Sequence, residues 1–253
     1  MNLLPSTIQF CSDAELGFER SRTRFPAGDG LTLDETYRLA HLPLVAPDHP
    51  RVIATREGSS YVMGSHERVF SLVLPVSSDL LLQSPAYREL NDAIRSSPFA
   101  GKIAWDLMER RRDKLHATIC GSLSTGEPPV LDADRLRELA GLGPITVELR
   151  GLFSGNVNRG RLYLRTYPEI RDGTNVFRQI QRSLGCRETD LYVVGLYNMT
   201  DDLDAAEAAA LAALIDRWWD RPILRCKVDR LWLLGATDDL VLDSAIAGTV
   251  SLV

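Results

Sequence analysis

Runs of apolar and polar residues divide the chain into short strands and helices from residue 66 onward. Runs rich in β-branched and other apolar residues predict strands; these are ERVFSLVLPV, LHATICGSL, ITVELRGLF, RLYLRTYP, DLYVVGLYN, ILRCKVDRLWLLG and LVLDSA. Apolar residues at helical spacing predict helices; these are PAYRELNDAIRS, GKIAWDLMERRRD, LDADRLRELAGLG, VFRQIQRSLG and DAAEAAALAALIDRWWD. Helices alternate with strands and strand pairs, which predicts an α+β fold with a mixed sheet.

Residues 1–65 follow a different pattern, because Pro, Gly and Asp interrupt every apolar run. The segment contains one helix candidate, LTLDETYRLAHL, and two short strand candidates, RVIAT and SSYVMG. We interpret 1–65 as an elaboration packed on a main domain that spans 66–253. The two halves of that domain have similar element content, which suggests an internal duplication.

The composition and the distribution of charged residues argue against some classes of function. The chain has 253 residues, 45% of them hydrophobic, and a formal net charge of -5. This charge argues against a protein that coats DNA or RNA, which usually carries a broad basic face. Arginine is concentrated between residues 150 and 187, whereas acids dominate from residue 188 onward. The contrast predicts either an anionic ligand near the middle segment or two faces that attract each other.

The four cysteines are scattered, without a CxxC pair or a nearby histidine. This spacing is typical of reduced thiols and fits neither a zinc site nor a disulfide framework. The sequence shows no signal peptide and no apolar run long enough for a membrane span. We therefore expect a soluble cytoplasmic protein that does not bind membranes; nothing in the sequence indicates its oligomeric state.

The strand LHATICGSL carries the residues with the clearest chemical potential. His116 and Thr118 are two positions apart on a strand, so both side chains project from the same face. Histidine transfers protons near neutral pH, and a threonine hydroxyl can bond an anionic oxygen beside it. A single hydrogen-bonded histidine on a sheet gives the same pattern, so the pair alone leaves both interpretations open.

The order of elements around this pair resembles the 2H phosphoesterase superfamily, which includes the RNA 2',3'-cyclic phosphodiesterases or 2'-5' RNA ligases. His-x-Thr-Ile follows ERVFSLVLPV and helices that end in RRRDK, and the resemblance continues through the hairpin, helix, strand and long helix up to residue 253. It implies a bilobal fold of duplicated mixed or antiparallel sheets with flanking helices, of bacterial type. It also implies that His116 is an acid/base and that Thr118 holds the phosphate.

The second motif of that family departs from the pattern in this chain. It is expected in DLYVVGLYN, yet no histidine follows His116. One register puts Leu191 and Val193 in the two motif places, and the other puts Tyr192 and Val194 there. Three alternatives follow: Tyr192 replaces the missing histidine, another histidine such as His66 reaches the cleft, or the domain binds a ligand without hydrolysing it.

The loop of the hairpin and the end of the degenerate strand supply candidate ligand-binding residues. Asn156, Arg159 and Arg161 surround two glycines, so they could approach a phosphate or a base edge, or simply form a solvated turn. Asn198 follows the degenerate strand at the expected mouth of the cleft. We take Asn156, Arg159, Arg161 and Asn198 as candidates for substrate binding, and Tyr192 as a candidate catalytic group.

Acidic clusters in the chain have a simpler explanation than a metal site. Asp201, Asp202 and Asp204 precede a long helix, whose N-terminus favours acids. Asp238 and Asp239 fall in a turn between strands. We therefore expect no metal and no cofactor. The leading hypothesis is a metal-independent phosphodiesterase acting on a 2',3'-cyclic or 2'-5'-linked nucleotide or RNA end; the alternative is a non-catalytic sensor of a nucleotide or phosphorylated ligand.

Overall fold

The computed structural model describes residues 8–253. The strands of its main sheet are β1 (Ser65–Pro75), β2 (His116–Thr125), β3 (Ile145–Ser154), β4 (Arg161–Pro168), β7 (Val193–Asn198), β8 (Pro222–Val228), β9 (Arg230–Asp238) and β10 (Ser244–Ser251), and a separate hairpin holds β5 (Ile170–Arg171) and β6 (Thr174–Asn175). The helices are α1 (Phe18–Ser21), α2 (Glu35–Ala40), α3 (Leu42–Val45), α4 (Ser78–Gln83), α5 (Pro85–Arg95), α6 (Leu107–Arg110), α7 (Ala133–Gly141), α8 (Val176–Ser183) and α9 (Ala205–Trp218).

The main sheet is large, curled and antiparallel, with the strand order β10-β9-β1-β2-β7-β4-β3-β8. The prediction of an α+β fold is therefore confirmed, while the mixed sheet expected from the pattern is an antiparallel one. Strands β2 and β7 meet at one residue pair, Ala117 opposite Val194. This short contact joins four strands on one side of the sheet to four on the other.

Three predicted elements have different boundaries because tertiary contacts override local pattern. The helix expected over 101–113 is interrupted, since Ile103 forms a bridge with Met199 and leaves only α6 helical. The strand expected over 223–235 is two strands: β8 pairs with β3, whereas β9 pairs with β1. The strand expected at 240–245 is largely a turn, because Asp238 accepts hydrogen bonds from backbone N–H groups within it.

The segment before β1 contacts the sheet at several places. The helix expected over 31–42 is present as α2, which begins after Asp34, whose side chain caps it. The strand candidates 51–55 and 59–64 form isolated bridges only. Tyr37 of α2 is buried and donates a hydrogen bond to the carbonyl oxygen of Met199 at 2.7 Å. The segment thereby reaches the end of β7.

Helix α9 packs on β3 and contributes apolar side chains to the main core. Leu211, Ile215 and Trp218 are buried on its inner face. Each such side chain contributes roughly 1.5–3 kcal/mol relative to an exposed one. The helix begins with a capping box between Asp204 and Glu207, as the acidic cluster there predicts. Among residues 8–253, no helix combines the length and the apolarity that crossing a membrane requires.

Candidate functional site

A cavity of about 370 Å³ opens on the curled sheet beside His116. Its walls come from β1, β2 and β9, from the turn after β9, and from the loop before β1. Polar side chains on these walls include His66, Ser71, His116, Thr118 and Ser122. The carboxylates in the lining are Glu67, Asp238 and Asp239, and the described lining contains no arginine or lysine. The volume lies within the range of about 300–1,000 Å³ that is typical of small-molecule sites.

His116 is the first residue of β2, directly after a 3₁₀ turn at Arg112–Lys114. Its Nδ1 is 2.8 Å from the carbonyl oxygen of Lys114, so Nδ1 carries the proton and donates it. The Nε2 lone pair of the neutral ring is then free to accept a proton. Burial, opposed by the hydrogen bond with Lys114 and assisted by the positive charges of Arg161 and Arg111, lowers the pKa of His116 to about 4. At neutral pH this imidazole is therefore uncharged.

Hydroxyl groups flank the imidazole. Thr118 lies opposite Val73 on β2 and its side chain is exposed to the cavity. A β-bulge follows, and Ser122 adopts a left-handed conformation with φ of 52°. The backbone N–H of Ser122 donates to Oγ of Ser71 at 3.2 Å, which fixes the bulge against β1. Hydrogen-bond donors for an anionic oxygen thus line the same wall as His116.

Arg161 reaches the site from β4 by lying across Gly195 of β7. A Cβ atom on Gly195 would overlap the guanidinium, so this close approach requires glycine. Nη1 of Arg161 donates to the backbone carbonyl of Asp239 at 2.9 Å, whereas Nε is buried without a partner among residues 8–253. Arg161, predicted from the hairpin loop, thus lies close enough for its charge to act on His116, but it does not line the cavity.

A second guanidinium lies deeper in the same region. Arg111 is almost completely buried and donates to the carbonyl oxygen of Leu196. Burial lowers the pKa of Arg111 to about 9, and the charge of Arg161 adds to this effect. Neither arginine forms an ion pair within residues 8–253. The nearest carboxylate that interacts with Arg161 is Asp239, whose pKa the charge of Arg161 helps to lower.

Asp239 joins three side chains in the turn after β9. Its Oδ1 is 3.5 Å from Nε2 of His66. Its Oδ2 accepts a hydrogen bond from the Tyr61 hydroxyl at 2.9 Å and lies 3.7 Å from Nε2 of His41. Two of these partners, Tyr61 and His41, belong to the segment before β1. The carboxylate therefore connects that segment with the wall of the cavity.

The charges of this group are set by its contacts. Burial raises the pKa of Asp239, but the hydrogen bond from His66 and the neighbouring cations and hydroxyl outweigh it and lower the pKa to about 2. The hydrogen bond with Asp239 raises the pKa of His66 above its ordinary value of 6.5. At neutral pH Asp239 is ionised, and His66 has an increased tendency to be protonated.

Asn198 lies behind the cavity rather than at its mouth. It is fully buried, and Nδ2 is 3.3 Å from the Tyr37 hydroxyl and 3.4 Å from Nδ1 of His41. Burial lowers the pKa of His41 to about 3, and the charge of Arg161 acts in the same direction. The Nδ1 atom of the neutral His41 ring accepts a hydrogen bond from Nδ2 of Asn198. Its Nε2–H group faces the Asp239 carboxylate at 3.7 Å. Asn198 orients a histidine and does not line the cavity.

The structure does not bring Tyr192 to the cavity. Tyr192 is fully buried, packs edge-to-face on Phe177 and donates its hydroxyl proton to the carbonyl oxygen of Thr189. Burial raises the pKa of Tyr192 to about 12. Leu191 is partly exposed, and neither Leu191 nor Val193 lines the cavity. Both registers considered for the degenerate motif thus leave this wall without a proton-transfer group from β7.

The remaining loop residues are also held elsewhere. Asn156 and Arg159 lie in the connection between β3 and β4, and neither lines the cavity. The backbone N–H of Asn156 donates to the carbonyl oxygen of Ser21 at 2.7 Å, and that of Asn158 donates to Asp34 at 2.9 Å. The loop therefore docks on the segment before β1, for which its glycines and asparagines are suited.

Sequence reasoning missed Asp239 as a site residue because it treated the Asp238–Asp239 pair as one turn. Asp238 alone forms that turn, since its carboxylate accepts from the backbone N–H groups of Leu240, Leu242 and Asp243. One carboxylate satisfies the turn, so the second was available for another role. Tyr61 and His41 carried no recognisable sequence signal.

Within residues 8–253, no group of three or more His, Cys, Asp or Glu side chains has the geometry to hold a metal ion. No protein-family model matches the chain, and no curated protein matches it significantly.

Proposed function

We propose that the protein is a metal-independent cytoplasmic phosphodiesterase that hydrolyses a 2',3'-cyclic or 2'-5'-linked phosphodiester of a nucleotide or RNA end. The observation that carries this proposal is the arrangement of His116: a neutral imidazole with Nδ1 bound to a backbone carbonyl and Nε2 open, beside Thr118 in one cavity. An imidazole held in this tautomer is suited to remove a proton from water.

Charge supports a phosphodiester as the ligand. Arg161 and Arg111 lie behind the lining of the cavity, close enough that their positive charges lower the pKa of His116. A phosphodiester carries one negative charge, which the guanidinium groups attract across a partly dehydrated site. The hydroxyl of Thr118 then donates to a phosphate oxygen on the side where water attacks.

The strand order also supports the resemblance to the 2H phosphoesterases. Strands β10, β9, β1 and β2 make one antiparallel half, and β7, β4, β3 and β8 make the other. The halves meet where β2 carries His116 and β7 carries Gly195, as expected for two duplicated lobes with their motif strands adjacent. In this chain the β7 side supplies Arg161 across a glycine instead of a second histidine.

A non-catalytic phospho-ligand sensor is the second candidate. It is favoured by β7, which meets β2 at Val194 and contributes no residue to the lining of the cavity. The low pKa of His116 also makes it a weak base. Both candidates share the anion site, so turnover separates them.

The test is hydrolysis of a panel of 2',3'-cyclic and 2'-5'-linked nucleotides by the purified protein in EDTA. His116→Gln is compared with His49→Gln, a matched control because His49 lies outside the cavity and bonds Asp201 at 3.1 Å. We expect turnover by the native protein and by the control, and its loss in His116→Gln. Binding of the same nucleotides without turnover contradicts the phosphodiesterase and supports the sensor.

A further inference from the structure

A second histidine, His66, shares the cavity with His116 but has a different hydrogen-bonding environment. Its Nδ1 is 2.6 Å from the carbonyl oxygen of Glu67, and its Nε2 faces the Asp239 carboxylate at 3.5 Å. Both neighbours are acceptors, so both ring nitrogens favour a bound proton. His116 has only one such acceptor. The two rings are thus arranged to differ in charge.

We infer that His66 is the proton donor to the leaving oxygen and that Asp239 and Tyr61 are the positioning residues that hold it in place. This inference rests on the proposed phosphodiesterase and names its missing acid. His66 lies on β1, far in sequence from the strand in which a second motif is expected. Both imidazoles line the same cavity, as a donor and an acceptor of protons for one substrate must.

The geometry leaves the Nε2 proton of His66 available. A distance of 3.5 Å to Asp239 is too long for a strong hydrogen bond, so a substrate oxygen can compete for this proton. The Tyr61 ring meets the His66 ring edge-on, with centroids 5.2 Å apart, and its hydroxyl fixes the other oxygen of Asp239. The hydrogen bond from Tyr61 thus fixes the Asp239 carboxylate, while the Nε2 proton of His66 remains available to the substrate.

The proposed step balances as follows. Nε2 of His116 takes a proton from water, and the water oxygen forms a bond to phosphorus. The bond from phosphorus to the leaving ribose oxygen breaks, and that oxygen receives the Nε2 proton of His66. The products are a phosphomonoester and a free hydroxyl; His116 is now protonated and His66 neutral. Proton exchange with solvent restores both rings.

This arrangement predicts how the rate of hydrolysis depends on pH, with one histidine responsible for each side of the profile. His116 must be neutral, and its pKa is about 4, lowered by burial and by Arg161 and Arg111. His66 must be protonated; its pKa is raised chiefly by the hydrogen bond with Asp239, with burial opposing and the Glu67 carbonyl and Asp238 assisting. The rate therefore falls on the alkaline side as His66 loses its proton.

The test compares two esters and four variants of the full chain, each checked for folding by circular dichroism. One ester is a 2',3'-cyclic nucleotide, whose ribose oxygen needs a proton to leave; the other is a 4-nitrophenyl nucleotide diester, whose leaving group departs as an anion. His66→Gln should reduce the rate with the cyclic substrate by about 10²–10⁴-fold and with the activated ester by about tenfold or less. His116→Gln should impair both, because both need activated water.

Asp239→Asn and the milder Tyr61→Phe test the positioning residues. Removing the carboxylate should move the alkaline limb to lower pH, and Tyr61→Phe should reduce turnover of the cyclic substrate more than that of the activated ester. If His66→Gln keeps the native rate, or loses the same factor on both esters with an unchanged alkaline limb, His66 is not the donor. The phosphodiesterase proposal survives that result as long as His116→Gln is inactive. If the native protein hydrolyses neither ester, both proposals fall.

Discussion

The guanidinium of Arg161 occupies the space above Gly195 that any larger side chain at that position would fill. Gly195 lies opposite Tyr163 of β4, and its neighbour Val194 pairs with β2. The absence of a side chain at Gly195 therefore leaves the space for the Arg161 guanidinium, whose charge lowers the pKa of His116. Because Gly195 has no side chain, the guanidinium of Arg161 can lie across strand β7 at this position.

The substitution Gly195→Ala should displace Arg161 from this position. We expect weaker binding of the phosphodiester, seen as a raised KM, with a stability loss of about 1 kcal/mol, the low end for overpacking because an arginine tip can move. The matched control is Gly248→Ala on β10, where an added Cβ meets no atom within 4 Å. Urea denaturation and steady-state kinetics measure both effects. Equal KM values for the two variants would contradict the role of Arg161.

Arg161→Gln and Arg159→Gln should behave differently although the residues are two positions apart. Neither side chain lines the cavity, but half-buried Arg161 lies close enough to His116 to lower its pKa, whereas Arg159 has no such effect. We expect Arg161→Gln to raise KM by about tenfold or more, as loss of a charge-assisted contact implies, and Arg159→Gln to leave it unchanged. Inhibition by inorganic phosphate gives a second measure that does not depend on turnover.

Tyr192→Phe should leave activity unchanged. The hydroxyl of Tyr192 bonds Thr189 in the core, so its removal should lower the free energy of unfolding by about 1 kcal/mol. Kinetics and chemical denaturation on the same preparation separate the two effects. A loss of turnover at normal stability would show that Tyr192 reaches the substrate, contrary to its position in the structure.

Stability should depend on pH through the buried neutral histidines. The pKa of His41 is about 3, chiefly because of burial, against 6.5 for an unfolded histidine. Below pH 6.5 His41 is protonated in the unfolded state but stays neutral in the folded state, so the free energy of unfolding decreases as pH falls. At about 1.4 kcal/mol per pH unit, His41 alone contributes a loss of about 2 kcal/mol between pH 6.5 and pH 5.

Urea denaturation of the native protein and of His41→Gln at pH 6.5 and pH 5 measures this dependence. His66 acts with the opposite sign, because its raised pKa adds stability as pH falls, and both proteins retain it. The difference between their pH slopes therefore isolates His41. Parallel slopes would mean that His41 is protonated in the folded protein.

The strands and most helices could be predicted from apolar periodicity, because their inner faces are buried by the sheet. The interrupted helix near Ile103 could not, since its backbone bonds to residues almost one hundred positions later. In the site, His116 and Thr118 share one cavity as their spacing predicts. The contact between Asp239 and Tyr61 could not be predicted from the sequence, because it forms only when the turn after β9 packs on the segment before β1.

The segment before β1 also sets the order in which the chain can fold. Tyr61 bonds a residue 178 positions later, and Tyr37 bonds one 162 positions later. Contacts between residues so far apart in the sequence form slowly, because the loop between them has to close first. The contacts of Asp239 with Tyr61 and His41 therefore form only after the turn after β9 has met the segment before β1. Residues more than 150 positions apart thus depend on each other for their final arrangement.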